Sequence, residues 1–226
     1  MRLFPSLLVA LLACGVTGTA SAALFSNLGQ PQNLSGNLVG QTWGSDFFTE
    51  GYAATITSLS VRLFNTDTLP HSLSLSLVAD NAGLPGSLIG SFDPLVIPAL
   101  NGSYQVFSTT TPSLNVAANT KYWLILHEDQ GPSNGGSVSF AGTTSSGSDL
   151  GSLFSTVPGT GFAYSTDNGA SYFVNTSNGD RNLGYSFAGT VVPEPAAAGV
   201  LFGFGAVLAA AGMRHRRRVQ RSPKVD

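Results

Sequence analysis

Strict alternation of apolar and polar residues marks the middle of the chain. In segments 59–63 (LSVRL) and 73–77 (LSLSL), every second residue is leucine or valine, and the residues between them are serine or arginine. A strand with one buried and one exposed face needs this period of two, whereas an amphipathic helix needs apolar residues three or four apart. No helical period is visible between residues 23 and 191. The pattern therefore predicts an all-β domain.

One apolar run departs from the alternation. Residues Tyr122–Leu126 (YWLIL) are apolar on both faces of a strand, which is typical of a central strand in a packed structure. Trp123, within this run, is therefore predicted to be a core residue rather than a platform for a sugar ring.

Shorter strand and turn signals surround these segments. Further strands are predicted at Gln105–Ser108, Ser137–Ala141, Ser171–Asn175 and Gly184–Val191. Turns are predicted where Asn, Asp, Gly and Pro cluster, at Asp80–Gly83, Leu84–Gly86, Asp167–Gly169 and Asn178–Gly179. About eight short strands at this spacing predict a two-sheet, jelly-roll-like β-sandwich as the ectodomain, residues 23–191.

The body of the chain is acidic and carries few charges. Charged residues make up 10% of the chain and hydrophobic residues 42%, against roughly 25% charged in an average soluble domain. Between residues 23 and 192 there are ten acidic and three basic residues, a net charge of −7. Nucleic-acid binding is not expected, because phosphate neutralisation needs clustered Lys and Arg.

The first 22 residues have the layout of a secretory signal peptide. A single early charge, Arg2, is followed by an apolar run from Leu7 to Ala13, and small residues precede Ala23. That run is too short for a permanent membrane helix, which needs about 20 residues. We expect export through the Sec translocon and removal of residues 1–22 by signal peptidase.

The only cysteine of the chain, Cys14, lies within this leader. The body can therefore form no disulfide and no thiolate metal site. Leu11–Cys14 is also similar to a lipobox, in which Cys14 would be lipidated and become the new N-terminus. This alternative to ordinary signal-peptide cleavage stays open.

The C-terminal end has the layout of a membrane anchor. Residues 196–213 have no charged or strongly polar side chain and would form a helix about 27 Å long, which is enough to cross hydrocarbon. Four arginines follow and are expected to stop transfer and remain in the cytoplasm: Arg214, Arg216, Arg217 and Arg218. The body is then outside, and 219–226 form a cytoplasmic tail. A buried core helix is the alternative for 196–213.

A short proline motif stands just before this apolar segment: Val192, Pro193, Glu194 and Pro195. Its prolines fix φ and cannot join a sheet ladder, so the stretch is expected to stay extended and open to a processing enzyme. With the apolar segment and the arginines, residues 192–218 resemble the PEP-CTERM sorting signal of Gram-negative bacteria. The resemblance implies exosortase as a partner, anchoring in the inner membrane before processing, and delivery to the cell surface or extracellular matrix afterwards.

Three segments of the body carry a second resemblance: Leu114–Leu124, Leu84–Gly86 before it, and Tyr164–Gly169 after it. Together they resemble the choice-of-anchor ectodomains found in such proteins, which are β-sandwiches without an established activity. The resemblance implies a structural or adhesive role linked to exopolysaccharide or biofilm.

Residue patterns of catalysis are sparse in the body. His127 and Glu128 close the YWLIL strand, and a hydrolase could use such a pair as base and acid, although a solvated strand end is the favoured interpretation. No Gly-x-Ser-x-Gly, His-Glu-x-x-His or phosphate-loop motif occurs. The acids Asp80, Asp167 and Asp180 lie in turn sequences without the spacing of a calcium loop. No enzyme activity, cofactor or metal site is predicted.

Trp43 is the sequence's candidate for a ligand contact. It lies among glycine and polar residues, which makes it the better candidate for an exposed ring. With the surface rich in Asn, Ser and Thr, it suggests a carbohydrate-binding module as the alternative function, with extracellular polysaccharide as the ligand.

Overall fold

The computed structural model describes residues 21–38, 40–129, 138–143, 153–155, 162–175 and 182–192. All regular structure in these ranges is β-strand, which confirms the all-β prediction. Within them, no helix is long and apolar enough to cross a membrane. The predicted membrane helix, 196–213, and all but the last two residues of the predicted signal peptide lie outside the described residues. The described residues from Ser21 to Thr190 belong to one compact unit, and Val191 and Val192 are the described part of a second.

Fourteen strands occur in the described residues. They are, in chain order, β1 (Ala22–Ser26), β2 (Leu34–Asn37), β3 (Thr42–Phe48), β4 (Ala54–Asn65), β5 (His71–Asn81), β6 (Leu84–Ser91), β7 (Leu95–Ile97), β8 (Gln105–Val116), β9 (Lys121–Glu128), β10 (Val138–Thr143), β11 (Phe162–Ser165), β12 (Phe173–Asn175), β13 (Asn182–Leu183) and β14 (Tyr185–Val191).

The strands form two antiparallel sheets of a β-sandwich-like fold. Sheet A has the order β1-β14-β4-β10-β13, with β2 also paired to β10 and β8 to β4. Sheet B has the order β12-β11-β3-β9-β5-β6, with β7 also paired to β5. Strands β4, β5 and β8 are longer than the sequence predicts. The alternation of side chains between the two faces of the sheet continues beyond the clearest apolar positions.

The main core is built from alternate residues of both sheets. The leucines and valine of the two alternating segments are buried, as the sequence predicts: Leu59, Val61, Leu63, Leu73, Leu75 and Leu77. Aromatic rings fill the remaining space, and Phe47 of sheet B packs against Phe187 of sheet A with ring centroids 4.9 Å apart. Burial of apolar surface is the main force that holds two such sheets together.

Strand β9 is central in sheet B and is buried on both faces. Tyr122, Leu124 and Leu126 face the main core, whereas Trp123 and Ile125 belong to a second apolar cluster on the other face. The prediction of a central strand at Tyr122–Leu126 is therefore confirmed, and so is the burial of Trp123. This second cluster makes part of the outer face of sheet B apolar, and polar side chains can pack against it.

Two turns were predicted near the β5–β6 hairpin, and only the first of them is correct. Ala82 and Gly83 have φ of 53° and 89°, the two positive values of a type I′ turn, and Asn81 pairs with Leu84 across it. The adjacent turn predicted at Leu84–Gly86 is wrong, since these residues begin β6. Pro85 is tolerated there because β6 is an edge strand.

The connection from β6 to β7 contacts the edge of sheet A. Asp93 N donates to Thr110 O at 2.9 Å, and Thr109 Oγ1 donates to Asp93 O at 2.7 Å. Part of strand β8 is thereby covered by backbone from the other sheet's connection, which protects an edge that could otherwise pair with another chain.

The first and last strands pair with each other. Ala22 lies opposite Gly189 and Ser26 opposite Ser186 in the antiparallel register of β1 and β14. The first and last described strands of the sandwich are therefore neighbours in sheet A.

Candidate functional site

Trp43 lies at the rim of the main core. It is half-buried, and its ring packs edge-on against Phe140 at 5.1 Å and Phe162 at 5.6 Å between centroids. Its Nε1 donates to Asn37 O at 2.9 Å. The ring is thus fixed in place and open on only part of its surface, and its role as a ligand contact stays a prediction.

A row of three aromatic residues crosses one end of sheet B; we call Trp43, Tyr164 and Phe173 the aromatic row. Tyr164 pairs with Trp43 on one side and with Phe173 on the other. The ring centroids are 5.9 Å and 5.7 Å apart. Exposure increases along the row, from half-buried Trp43 to Phe173, which is 53% exposed at the edge strand β12. The contact of Tyr164 with Trp43 and Phe173 cannot be predicted from the sequence alone, because it depends on strand register.

His127 and Glu128 lie on opposite faces of β9. Glu128 faces inward and is buried, whereas the Nδ1 atom of His127 lies 2.9 Å from Thr42 Oγ1 on the outer face. Successive residues of a strand point in opposite directions. The two residues therefore do not form a joint acid–base pair.

Glu128 instead belongs to a buried network, which we define as Asp67, His71 and Glu128. Nε2 of His71 lies 3.0 Å from Oδ2 of Asp67, and Nδ1 contacts Oε1 of Glu128. All three side chains are buried. Burial raises the pKa of Glu128, and His71 opposes this rise without cancelling it. A network so enclosed has no face open to a substrate, so we assign it to folding.

A second polar group lies on the outer face of sheet B; we call Asp46, Asp80, Lys121 and Trp123 the Lys121 cluster. Nζ of Lys121 is 2.8 Å from Oδ2 of Asp46 and 3.6 Å from Oδ1 of Asp80. It also lies 4.8 Å from the centroid of the Trp123 ring. Trp123 Nε1 donates to Asp80 Oδ1 at 2.8 Å. No local sequence pattern indicates this cluster, since its members come from three different strands, β3, β5 and β9.

In the described ranges, no group of three His, Cys, Asp or Glu residues has the arrangement needed to hold a metal ion. Of the predicted sorting motif, Val192 is described and exposed. Pro193, Glu194 and Pro195 lie outside the described residues, as do the arginines of the predicted stop-transfer cluster.

No family model matches the sequence, and no curated protein is significantly similar to it.

Proposed function

We propose that this chain is an exported surface or matrix protein, sorted by exosortase, whose β-sandwich has a structural or adhesive role. One observation carries the proposal: the described residues between the two predicted targeting segments form a β-sandwich-like fold of two antiparallel sheets. A body of this kind is what the proposal requires between a signal peptide and a sorting motif.

The pairing of β1 with β14 supports the same proposal. Ala22 and Ala23 are exposed and lie opposite Gly189 and Ala188, so signal-peptide removal leaves the core intact.

The chain also alternates between the sheets, from β3 to β4 to β5 and again from β8 through β11. This alternation supports a jelly-roll-like arrangement.

The surface chemistry suits contact with uncharged polymers. On the outer face of sheet A, Ser60 and Ser108 hydroxyls lie 2.7 Å apart, and Thr55 Oγ1 donates to Asn115 Oδ1 at 2.8 Å. Hydroxyl and amide groups both donate and accept hydrogen bonds. Such a surface can bind a neutral polysaccharide through hydrogen bonds, without charged groups that would need counterions.

Processing is tested by expressing the full chain in a Gram-negative host with exosortase and in the same host without it. We expect residues 196–226 to be lost only with the enzyme, and the uncut protein to stay in the inner membrane. Glu194→Ala should block the loss, whereas Glu50→Ala, at an exposed turn of the body, should not. Intact-mass measurement that finds residues 196–226 retained with exosortase present would refute processing.

Carbohydrate binding is a second candidate, favoured by the aromatic row. Aromatic faces stack on the apolar C–H faces of sugars, and the row presents Phe173 as its exposed member.

Polysaccharide pull-down with the full chain tests this candidate. Phe173→Ala should reduce retention several-fold, because it removes an exposed ring with little effect on the core. Tyr52→Ala, which removes a comparably exposed ring elsewhere (47% exposed), should leave retention unchanged. Equal retention of wild type and Phe173→Ala would exclude the aromatic row as the binding surface.

A further inference from the structure

The Lys121 cluster holds an amine between two carboxylates. Lys121 on β9 faces Asp46 on β3 at 2.8 Å and Asp80 on β5 at 3.6 Å. Both partner strands are immediate neighbours of β9 in sheet B. An amine and an acid fixed at this separation need no encounter step before they react, which is the main entropic obstacle to amide formation.

The cluster is largely shielded from water. The side chain of Asp46 is 1% exposed and that of Lys121 18% exposed, and the Trp123 ring beneath them is fully buried. The neutral amine is the nucleophile of acyl transfer, so the reaction needs a carboxylate beside Nζ that can take up its proton. Asp46 and Asp80 both lie beside Nζ.

We propose that Lys121 and Asp46 form an intramolecular amide bond. Nζ forms a bond to Cγ of Asp46, the bond from Cγ to one carboxyl oxygen breaks, and that oxygen leaves as water. The ammonium group gives up two protons, and both end on the departing oxygen: one passes to it directly and the other passes through Asp80. No oxidant or reductant is consumed.

The two carboxylates have different roles in this reaction. Asp46 is the nearer and the more buried, which makes it the acyl group. Asp80 is held in place, since Oδ1 accepts from Trp123 Nε1 at 2.8 Å and Oδ2 accepts from Gly83 N at 3.0 Å. A fixed carboxylate beside Nζ can accept and release a proton without moving.

An amide here would link two adjacent strands covalently in a body that has no cysteine. Cys14 is the only cysteine of the chain and lies in the predicted leader. A lysine–aspartate amide does not depend on the redox state of the compartment, unlike a disulfide. Amide formation does not depend on sorting by exosortase, because Lys121 and Asp46 both lie in sheet B.

Trypsin digestion and mass spectrometry of the purified full chain test the proposal. Between residues 23 and 192 trypsin has three sites, Arg62, Lys121 and Arg181. With the amide in place, cleavage after Lys121 is blocked. The fragment ending at Arg62 should then be joined to fragment 63–181, and the joined product should be lighter by one water molecule than the sum of the two.

Three variants test which side chains take part in forming the amide bond. Lys121→Arg keeps the charge but removes the amine, and Asp46→Ala removes the acyl group, so each should abolish the joined fragment. Asp80→Asn should slow its formation several-fold, and an unchanged rate would overturn the proton-transfer role of Asp80. Complete cleavage of the wild type after Lys121, with both fragments at unmodified mass, would show an ion pair only and overturn the proposal. The wild-type measurement decides even if a variant fails to fold.

Discussion

Nε2 of His71 lies 3.0 Å from Oδ2 of Asp67, and both side chains are buried. Glu128 contacts the other ring nitrogen, so three titratable groups share one enclosed space. His127, on the outer face of the same strand, also lowers the pKa of Glu128. Buried groups of this kind make the stability of a fold depend on pH.

Glu128→Gln should reduce the pH dependence of stability. The pKa of Glu128 is raised in the folded state above its ordinary value of 4.5, so the folded chain holds this proton more tightly than the unfolded chain does. The resulting stabilisation is complete below the unfolded pKa and is lost as pH rises through the folded pKa. Urea unfolding from pH 4 to pH 8 should therefore show a smaller fall for Glu128→Gln than for wild type.

Asp129→Asn is the matched control for this measurement. Asp129 follows Glu128 but is exposed and accepts from Ser72 Oγ. Glu128→Gln should change the pH dependence of unfolding more than Asp129→Asn does, because only Glu128 of the two is buried. The role assigned to Glu128 is contradicted if its variant and the wild type lose stability in parallel.

Asn65→Ala should destabilise the fold strongly. The fully buried side chain donates from Nδ2 to Leu69 O at 2.9 Å and to Pro98 O at 3.0 Å, and Oδ1 accepts from Asp67 N. Each buried group left without a partner costs about 1–3 kcal/mol, so we expect a loss of about 3 kcal/mol or more. Chemical denaturation measures it. Asn115→Ala, at an exposed hydrogen bond, should change stability by less than about 0.5 kcal/mol.

Asp167 should titrate at unusually low pH. Hydrogen bonds from the Ser165 and Ser171 side chains lower its pKa from 3.8 to about 2. Its contribution to stability is therefore present above pH 3.8 and is lost as pH falls through about 2. NMR titration of the carboxyl group should find that midpoint, and Ser165→Ala should move it towards 3.8. Ser108→Ala, on distant β8, should not; a midpoint insensitive to Ser165 would contradict the assigned cause.

Gly189→Ala should destabilise sheet A. A Cβ atom at this position would overlap the carbonyl oxygen of Thr55 on β4, which is backbone and cannot turn away. Overpacking of this kind costs about 1–3 kcal/mol, and thermal unfolding should detect it. At Gly51 an added Cβ meets nothing within 4 Å, so Gly51→Ala is the matched control. Equal melting temperatures for the two variants would contradict this packing.

Local patterns predicted the fold because strand period is a local property. Segments 59–63 and 73–77 became the middle of β4 and β5, and Tyr122–Leu126 became the central strand β9. The turn predicted at Leu84–Gly86 failed because a proline is compatible with both a turn and an edge strand. Only the pairing partners of a strand decide between them.

The clusters could not be predicted, since each is assembled across strands. Lys121 meets Asp46 only because β3 and β9 pair with Asp46 opposite Trp123. His71 and Glu128 meet because Leu73 pairs with Glu128. A shift of register by one residue would turn these side chains to the other face of the sheet. The residues next to Trp43 in sequence made it a candidate ligand contact, but they do not indicate that its ring packs against Phe140.

The pairing of Ala23 with Ala188 makes the sandwich suitable for circular permutation. A linker of a few residues would join β14 back to β1, and new ends could be opened at the turn after Asn81, where Ala82 is exposed. The strand order of both sheets would be unchanged. Such a permuted molecule, tethered through its β5–β6 hairpin, would present a different face to its surroundings from that of the natural chain.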